Sequence, residues 1–119
     1  MKRIVIGGQI DKSIILEDIK KLTGGNVVVE VKSDLDAAMA MKANQYDYYV
    51  GACNTGGGGA LAMAIALLGR DKCSTVSMPG VIKDAEFIRS EFANGKVAFG
   101  FTAQHREHVL PIIIEEIMK

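Results

Sequence analysis

Between Ala52 and Ala60 the chain reads Cys53-Asn54-Thr55 and then four consecutive glycines, Gly56, Gly57, Gly58 and Gly59. A short apolar run, Tyr48 to Ala52, precedes this stretch, and an almost wholly apolar one, Ala60 to Leu68, follows it. Strand, glycine loop and helix head in that order suit an anion. The first-turn N–H groups of a helix have no partner within it, and aligned peptide dipoles put partial positive charge there. Glycines let backbone approach a bound group closely. The spacing is neither Walker A, since no Lys-Ser/Thr follows, nor the dinucleotide fingerprint on a first strand.

Three side chains beside the loop could add chemistry. Cys53 is a small buried hydrophobe or, near a helix N-terminus, a thiolate. Asn54 and Thr55 either bond a ligand or shape the turn. Farther on, Thr102-Ala103-Gln104-His105-Arg106-Glu107-His108 sets two histidines three apart. His105 is the better acid/base candidate and the alternative is a surface histidine. No third residue completes a metal site, so neither metal nor cofactor is expected.

The elements that position these groups alternate. Arg3 to Gly7 reads as a buried strand, and a helix follows with Asp11 as N-cap and Ile15, Ile19 and Leu22 on one face. Asn26 to Val31 is a second strand. Ser33 caps a helix with Leu35, Ala38 and Met39 inward. After the third strand and the apolar helix, Cys73 to Met78 is a fourth strand, broken by Pro79-Gly80. Asp84 to Ala93 is a helix with Ile88 and Phe92 inward. Lys96 to Phe101 is a fifth strand, and Thr102 caps a last helix that Pro111 kinks or delays.

Such alternation predicts an α/β three-layer sandwich, one domain over residues 1–119, with a five-stranded parallel sheet in the flavodoxin-like order 2-1-3-4-5. The strand order then reverses between the first and third strands. That places Gly8 and Gln9 beside the glycine loop as further ligand-binding residues, at the edge where such sheets bind ligands.

Composition narrows the function. Fourteen basic and fourteen acidic residues cancel, which excludes a broad grip on nucleic acid or anionic lipid. The longest apolar run is far short of the roughly 20 residues of a membrane span. The N-terminal apolar core is too short for a signal peptide, and two cysteines are too few for a disulfide scaffold. A cytoplasmic protein with reduced thiols is expected. The helix 60–68 has no polar face, so a partner subunit is expected over it, most simply in a C₂ homodimer; the alternative is coverage within one chain.

On Asp47 to Gly69 and Gly95 to His108, the chain resembles the YhfU-like family of short bacterial proteins of unknown function. That family has no established activity to carry over. Cys53 to Ile65 is locally similar to the ribose-5-phosphate isomerase B and galactose-6-phosphate isomerase family. That resemblance implies Cys53 as the base that moves a proton and Gly56 to Gly59 as donors to the enediolate. Where that family carries Asp-His after its first strand, this chain has Gly8-Gln9-Ile10-Asp11.

The function expected is therefore binding of a small phosphorylated or carboxylated metabolite through the Cys53–Gly59 loop. The alternative is a sugar-phosphate isomerase-like enzyme, with Cys53 as base and His105 assisting.

Overall fold

The structure, a computed structural model, describes residues 1–54 and 58–119. The elements run β1 (Arg3–Gly8), α1 (Lys12–Thr23), β2 (Val28–Val31), α2 (Asp34–Lys42), β3 (Tyr48–Cys53), α3 (Gly58–Leu68), β4 (Cys73–Thr75), β5 (Ser77–Met78), β6 (Val81–Ile82), α4 (Ala85–Ala93), β7 (Ala98–Thr102) and α5 (Arg106–Ile117). Five strands pair in parallel in the order β2-β1-β3-β7-β4. Helices cover both faces, as the alternation requires.

The half β2-β1-β3 follows the flavodoxin-like order. Beyond it the last two sheet strands change places: β7 lies next to β3, and β4 takes the edge. Burial explains the exchange. Ala98 to Thr102 is buried throughout and suits a strand with neighbours on both sides. Only Cys73 to Thr75 of the expected fourth strand joins this sheet. Ser77 and Met78 instead pair antiparallel with Val81 and Ile82 across Pro79-Gly80, with Gly80 at φ 79°. That dipeptide is therefore a hairpin turn, for which Pro then Gly at positive φ is the expected chemistry.

Two apolar clusters lie on opposite faces of the sheet. One gathers Ile4, Ile6, Val50, Phe99 and Phe101 with Ile15 and Ile19 of α1, Ile88 of α4, and Val109, Leu110, Ile113, Ile114 and Ile117 of α5. Phe92 of α4 stacks on Phe99 at 4.3 Å between ring centroids. The other cluster gathers Val5, Tyr49 and Ala98 with Ala37, Ala40 and Met41 of α2, Leu61 and Ala64 of α3, and Cys73. Moving β7 inward puts α4 on the α1/α5 face, because a connection that returns along the sheet crosses the opposite face when handedness is constant. Only α2 and α3 are left to cover the other side.

Several local expectations need correction. Leu35 and Met39 are 49% and 54% exposed; α2 buries Ala37, Ala38, Ala40 and Met41 instead. Small residues let α2 lie close to the sheet and turn its longer side chains outward. Leu22 is also exposed, while Ile15 and Ile19 are buried. Asp11 stands at the N-cap of α1 in a left-handed conformation, φ 58°, and its side chain makes no cap bond. Ser33 and Asp84 do cap, accepting from Asp36 N and Phe87 N. Thr102 ends β7 rather than capping α5, and a 3₁₀ turn, Ala103–His105, precedes the regular helix. Pro111 lies inside α5 and removes the N–H that would bond the Glu107 carbonyl.

Helix α3 packs closely on β7 at Gly100. A Cβ there would stand 2.6 Å from Leu61 Cγ and 3.1 Å from Ala60 Cβ. Gly100→Ala should therefore destabilise the fold by roughly 1–3 kcal/mol through overpacking. Urea unfolding would read this as a lower midpoint at unchanged slope. A neutral or stabilising result would mean that α3 is not seated on β7 as described.

Candidate functional site

In a parallel sheet all carboxyl ends share one edge. Here β1 is followed by α1 on one face, β3 by α3 on the other, and β7 by α5 on the first face again. The end of β3 thus lies between two reversals of chain direction, not one. Crevices open at such points because successive connections part to opposite sides. The cleft there has a volume of about 440 Å³ and is lined by Ile10 and Asp11 after β1, Asn54 after β3, and Ala103, Gln104, Arg106 and Glu107 after β7.

Behind this cleft the head of α3 is held by a buried hydroxyl. Tyr49 is 0% exposed, and its ring crosses in front of Gly7, where a Cβ would stand 2.5 Å from it. Its hydroxyl accepts from Gly8 N at 2.8 Å and donates to Asp34 Oδ1, with the Ala60 carbonyl 2.9 Å away. Gly8 N also lies 3.2 Å from Asp34 Oδ1. One phenol therefore joins the end of β1, the start of α2 and the first turn of α3. Gly8 takes φ 75°, and a Cβ on it would meet Ala52 N at 2.6 Å. This lets Gln9 N and Ile10 N turn back onto the Ala52 carbonyl, at 2.9 and 3.4 Å.

The expected ligand-binding residues divide. Thr55, Gly56 and Gly57 lie outside the described residues. Gly58 and Gly59 already belong to α3, so their N–H groups are first-turn donors rather than loop donors. Gln9 is exposed and reaches this turn: a Cβ on Gly59 would lie 2.9 Å from Gln9 Oε1. Gly8 is buried in the Tyr49 network, and Asn54 is exposed in the lining of the cleft. Cys53 is 2% exposed. It pairs in register with Thr102 across β3 and β7, so both side chains point to the α3 face, one strand step beyond Gly100.

Thr102 is 3% exposed, and among the described residues its hydroxyl has no hydrogen-bond partner; its N–H donates to Ser77 Oγ at 2.9 Å. His105 Nδ1, at the end of the 3₁₀ turn, is likewise buried and without a partner. His108 is exposed. Ser74 Oγ is also unpartnered, but it lies opposite Phe99 in mid-sheet, away from this edge. Charge in the cleft is mixed. Arg106 Nε binds Asp18 Oδ2 at 2.6 Å and its Nη2 lies 3.7 Å from Glu107, while Asp11 adds a carboxylate. Any preference for anions must therefore come chiefly from backbone dipoles at the head of α3. Cys73 is buried in the α2/α3 cluster, and burial pushes its thiol up to about 11. Among the described residues no group of three His, Cys, Asp or Glu is placed to hold a metal ion.

Tyr49 and Thr102 are the two residues that sequence reasoning missed as site components. A tyrosine in a buried aliphatic strand was the available signal, because a buried phenol needs a partner. Burial, followed by the bond to Asp34, raises the Tyr49 pKa strongly. Tyr46, 8% exposed and bonded to Glu30, is pushed up to about 12. Both stay protonated in the folded state when the unfolded chain ionises near pH 10. Stability contributed by Tyr49 is then complete below pH 10 and falls by up to about 1.4 kcal/mol per pH unit above it. Tyr49→Phe should cost roughly 1–3 kcal/mol at neutral pH, because Gly8 N and Asp34 lose a buried partner. It should also flatten the alkaline loss of stability, leaving the part due to Tyr46. Denaturation midpoints from pH 7 to 11 measure both; parallel profiles for wild type and variant would contradict the network.

Comparison with known proteins agrees with the sequence resemblance. The chain is 41% identical over 117 residues to the uncharacterised protein YhfU of Escherichia coli strain K12, covering 98% of this chain and 99% of that one. The YhfU proteins of Escherichia coli O6:H1 strain CFT073 and of Shigella flexneri match to the same extent. No solved structure matches significantly. The family model described as protein of unknown function DUF2620 matches residues 2–117, and the chain belongs to that family.

Proposed function

We propose that this protein binds a small phosphorylated or carboxylated metabolite at the carboxyl edge of the sheet, against the head of α3. The observation that carries this reading is the Thr102 hydroxyl. It is buried, has no hydrogen-bond partner among the described residues and faces the α3 side beside Cys53. An unpaired buried hydroxyl costs roughly 1–3 kcal/mol, which a ligand oxygen would recover. Gln9 over the first turn and Asn54 in the adjoining cleft add side-chain amides that can accept or donate. The Thr55 side chain, and Gly56 and Gly57 with Gly58 and Gly59 through backbone N–H groups, complete the proposed set. The reading takes the protein to work in the cytoplasm, which rests on composition.

A second reading, proton transfer with Cys53 as base and His105 assisting, has one observation in its favour. Cys53 pairs with Thr102, and His105 stands three residues beyond Thr102 with Nδ1 buried and unpartnered. Alkylation separates the two readings. In a Cys73→Ser variant the alkylation signal reports Cys53 alone. A reaction pKa near that of an isolated cysteine, with no protection by sugar phosphates, decides against the enzyme.

The binding reading is tested by thermal unfolding against a panel of sugar phosphates and small carboxylates, for wild type and Thr102→Val. A true ligand at one hundred times its Kd adds about 2.7 kcal/mol and raises the midpoint. The valine variant should be at least as stable as wild type without ligand, since it replaces an unpaired hydroxyl by a methyl. It should bind about five- to tenfold more weakly, matching one hydrogen bond. No midpoint shift with any member, or equal affinity in the variant, would overturn the proposal.

A further inference from the structure

The α2/α3 side of the molecule is unlike its other surfaces. Across its eleven residues α3 carries no charge, yet Ala62, Met63 and Ala66 face outward, with Met63 37% exposed. Coverage within one chain therefore does not account for this helix. Beside it Met39, also outward-facing, is 54% exposed. Between the two helices runs an apolar groove of about 310 Å³, lined by Met39, Lys42, Ala43 and Leu67. The groove and the outward-facing methionines lie on the same face, as an isologous contact requires. Methionine, unbranched and soft, packs readily against its own copy.

The charges around Met39 select an orientation. Asp36 lies one turn before it and Lys42 one turn after it, both exposed. Met39 is the midpoint of the two. If a second copy lies over this face with its helices antiparallel, on a twofold axis passing over Met39, each Asp36 meets the partner's Lys42 and the two α2 dipoles oppose. The alternative twofold, with helices parallel, pairs no such charges. Met63 is likewise the middle residue of α3 and would stand near the same axis.

We propose that the α2/α3 face is the docking surface for a second copy of this chain, in an antiparallel twofold dimer centred on Met39 and Met63. This does not depend on the ligand reading, since it uses the outer faces of α2 and α3 and not the sheet edge. Two helices side by side offer a patch of roughly 20 Å by 20 Å, about 800 Å² buried over both copies, below the size of stable interfaces, so the dimer is a weak and transient one.

Sedimentation equilibrium from about 1 to 500 µM tests the proposal. Wild type should move from 12.8 kDa to twice that mass across the range. Met63→Glu, at an exposed position, should stay monomeric throughout, with circular dichroism confirming its fold. Asp36→Lys and Lys42→Asp should each weaken association at least fivefold, and the double exchange should restore it to within twofold of wild type. Monomeric wild type at every concentration, or a dimer unaffected by Met63→Glu, would overturn the interface. Unchanged association in both single charge variants would overturn the antiparallel arrangement.

Discussion

One phenolic hydroxyl holds the working edge of this protein together. Tyr49 projects from β3 under the turn that leaves β1 and reaches the start of α2 and the first turn of α3. The Gly8 N–H and the Ala60 carbonyl are buried backbone groups that need partners inside the protein, and the half-buried Asp34 carboxylate completes the set. A phenol is long enough to cross the layer and has a hydroxyl that accepts one bond while donating another. The cost falls on the neighbours. Gly7 and Gly8 can carry no side chain, because the Tyr49 ring and the Ala52 backbone occupy that space. Gly7 is thus the imprint of a tyrosine elsewhere in the chain and Gly8 that of the neighbouring β3 backbone.

From that constraint follows the form of the edge. Seated on Gly100 and tied through Ala60 to Tyr49, α3 directs its N-terminal turn over the ends of β3 and β7. Insertion of β7 between β3 and β4 then gives β3 a reversal on each side. Loops from three strands converge on one cleft, and Cys53 and Thr102 stand opposite each other beneath the helix head. The same insertion moves α4 to the other face and leaves α2 and α3 alone on theirs. The three-strand cleft and the apolar outer face are two results of one change in strand order.

Much of this was legible from residue order alone. The alternation of strands and helices, the parallel sheet and the cap at Ser33 all follow from local pattern. Period, capping chemistry and glycine placement act within a few residues, so the linear text carries them. The β2-β1-β3 half was legible too. By contrast, Leu35 and Met39 look like core residues by type, yet α2 turns them outward because four small or flexible residues pack beneath it. Asp11 looks like a cap and takes a left-handed turn instead.

What the sequence by itself determined is the set of elements and the chemical character of each end, since those depend on neighbours along the chain. Only the tertiary structure decided which strand stands beside β3, which side chain faces α3, and that Tyr49 joins Gly8, Asp34 and Ala60 from three separate elements. Those outcomes depend on competition among strands for burial and among polar groups for partners. Such competition is settled between residues tens of positions apart, and no local pattern records its result.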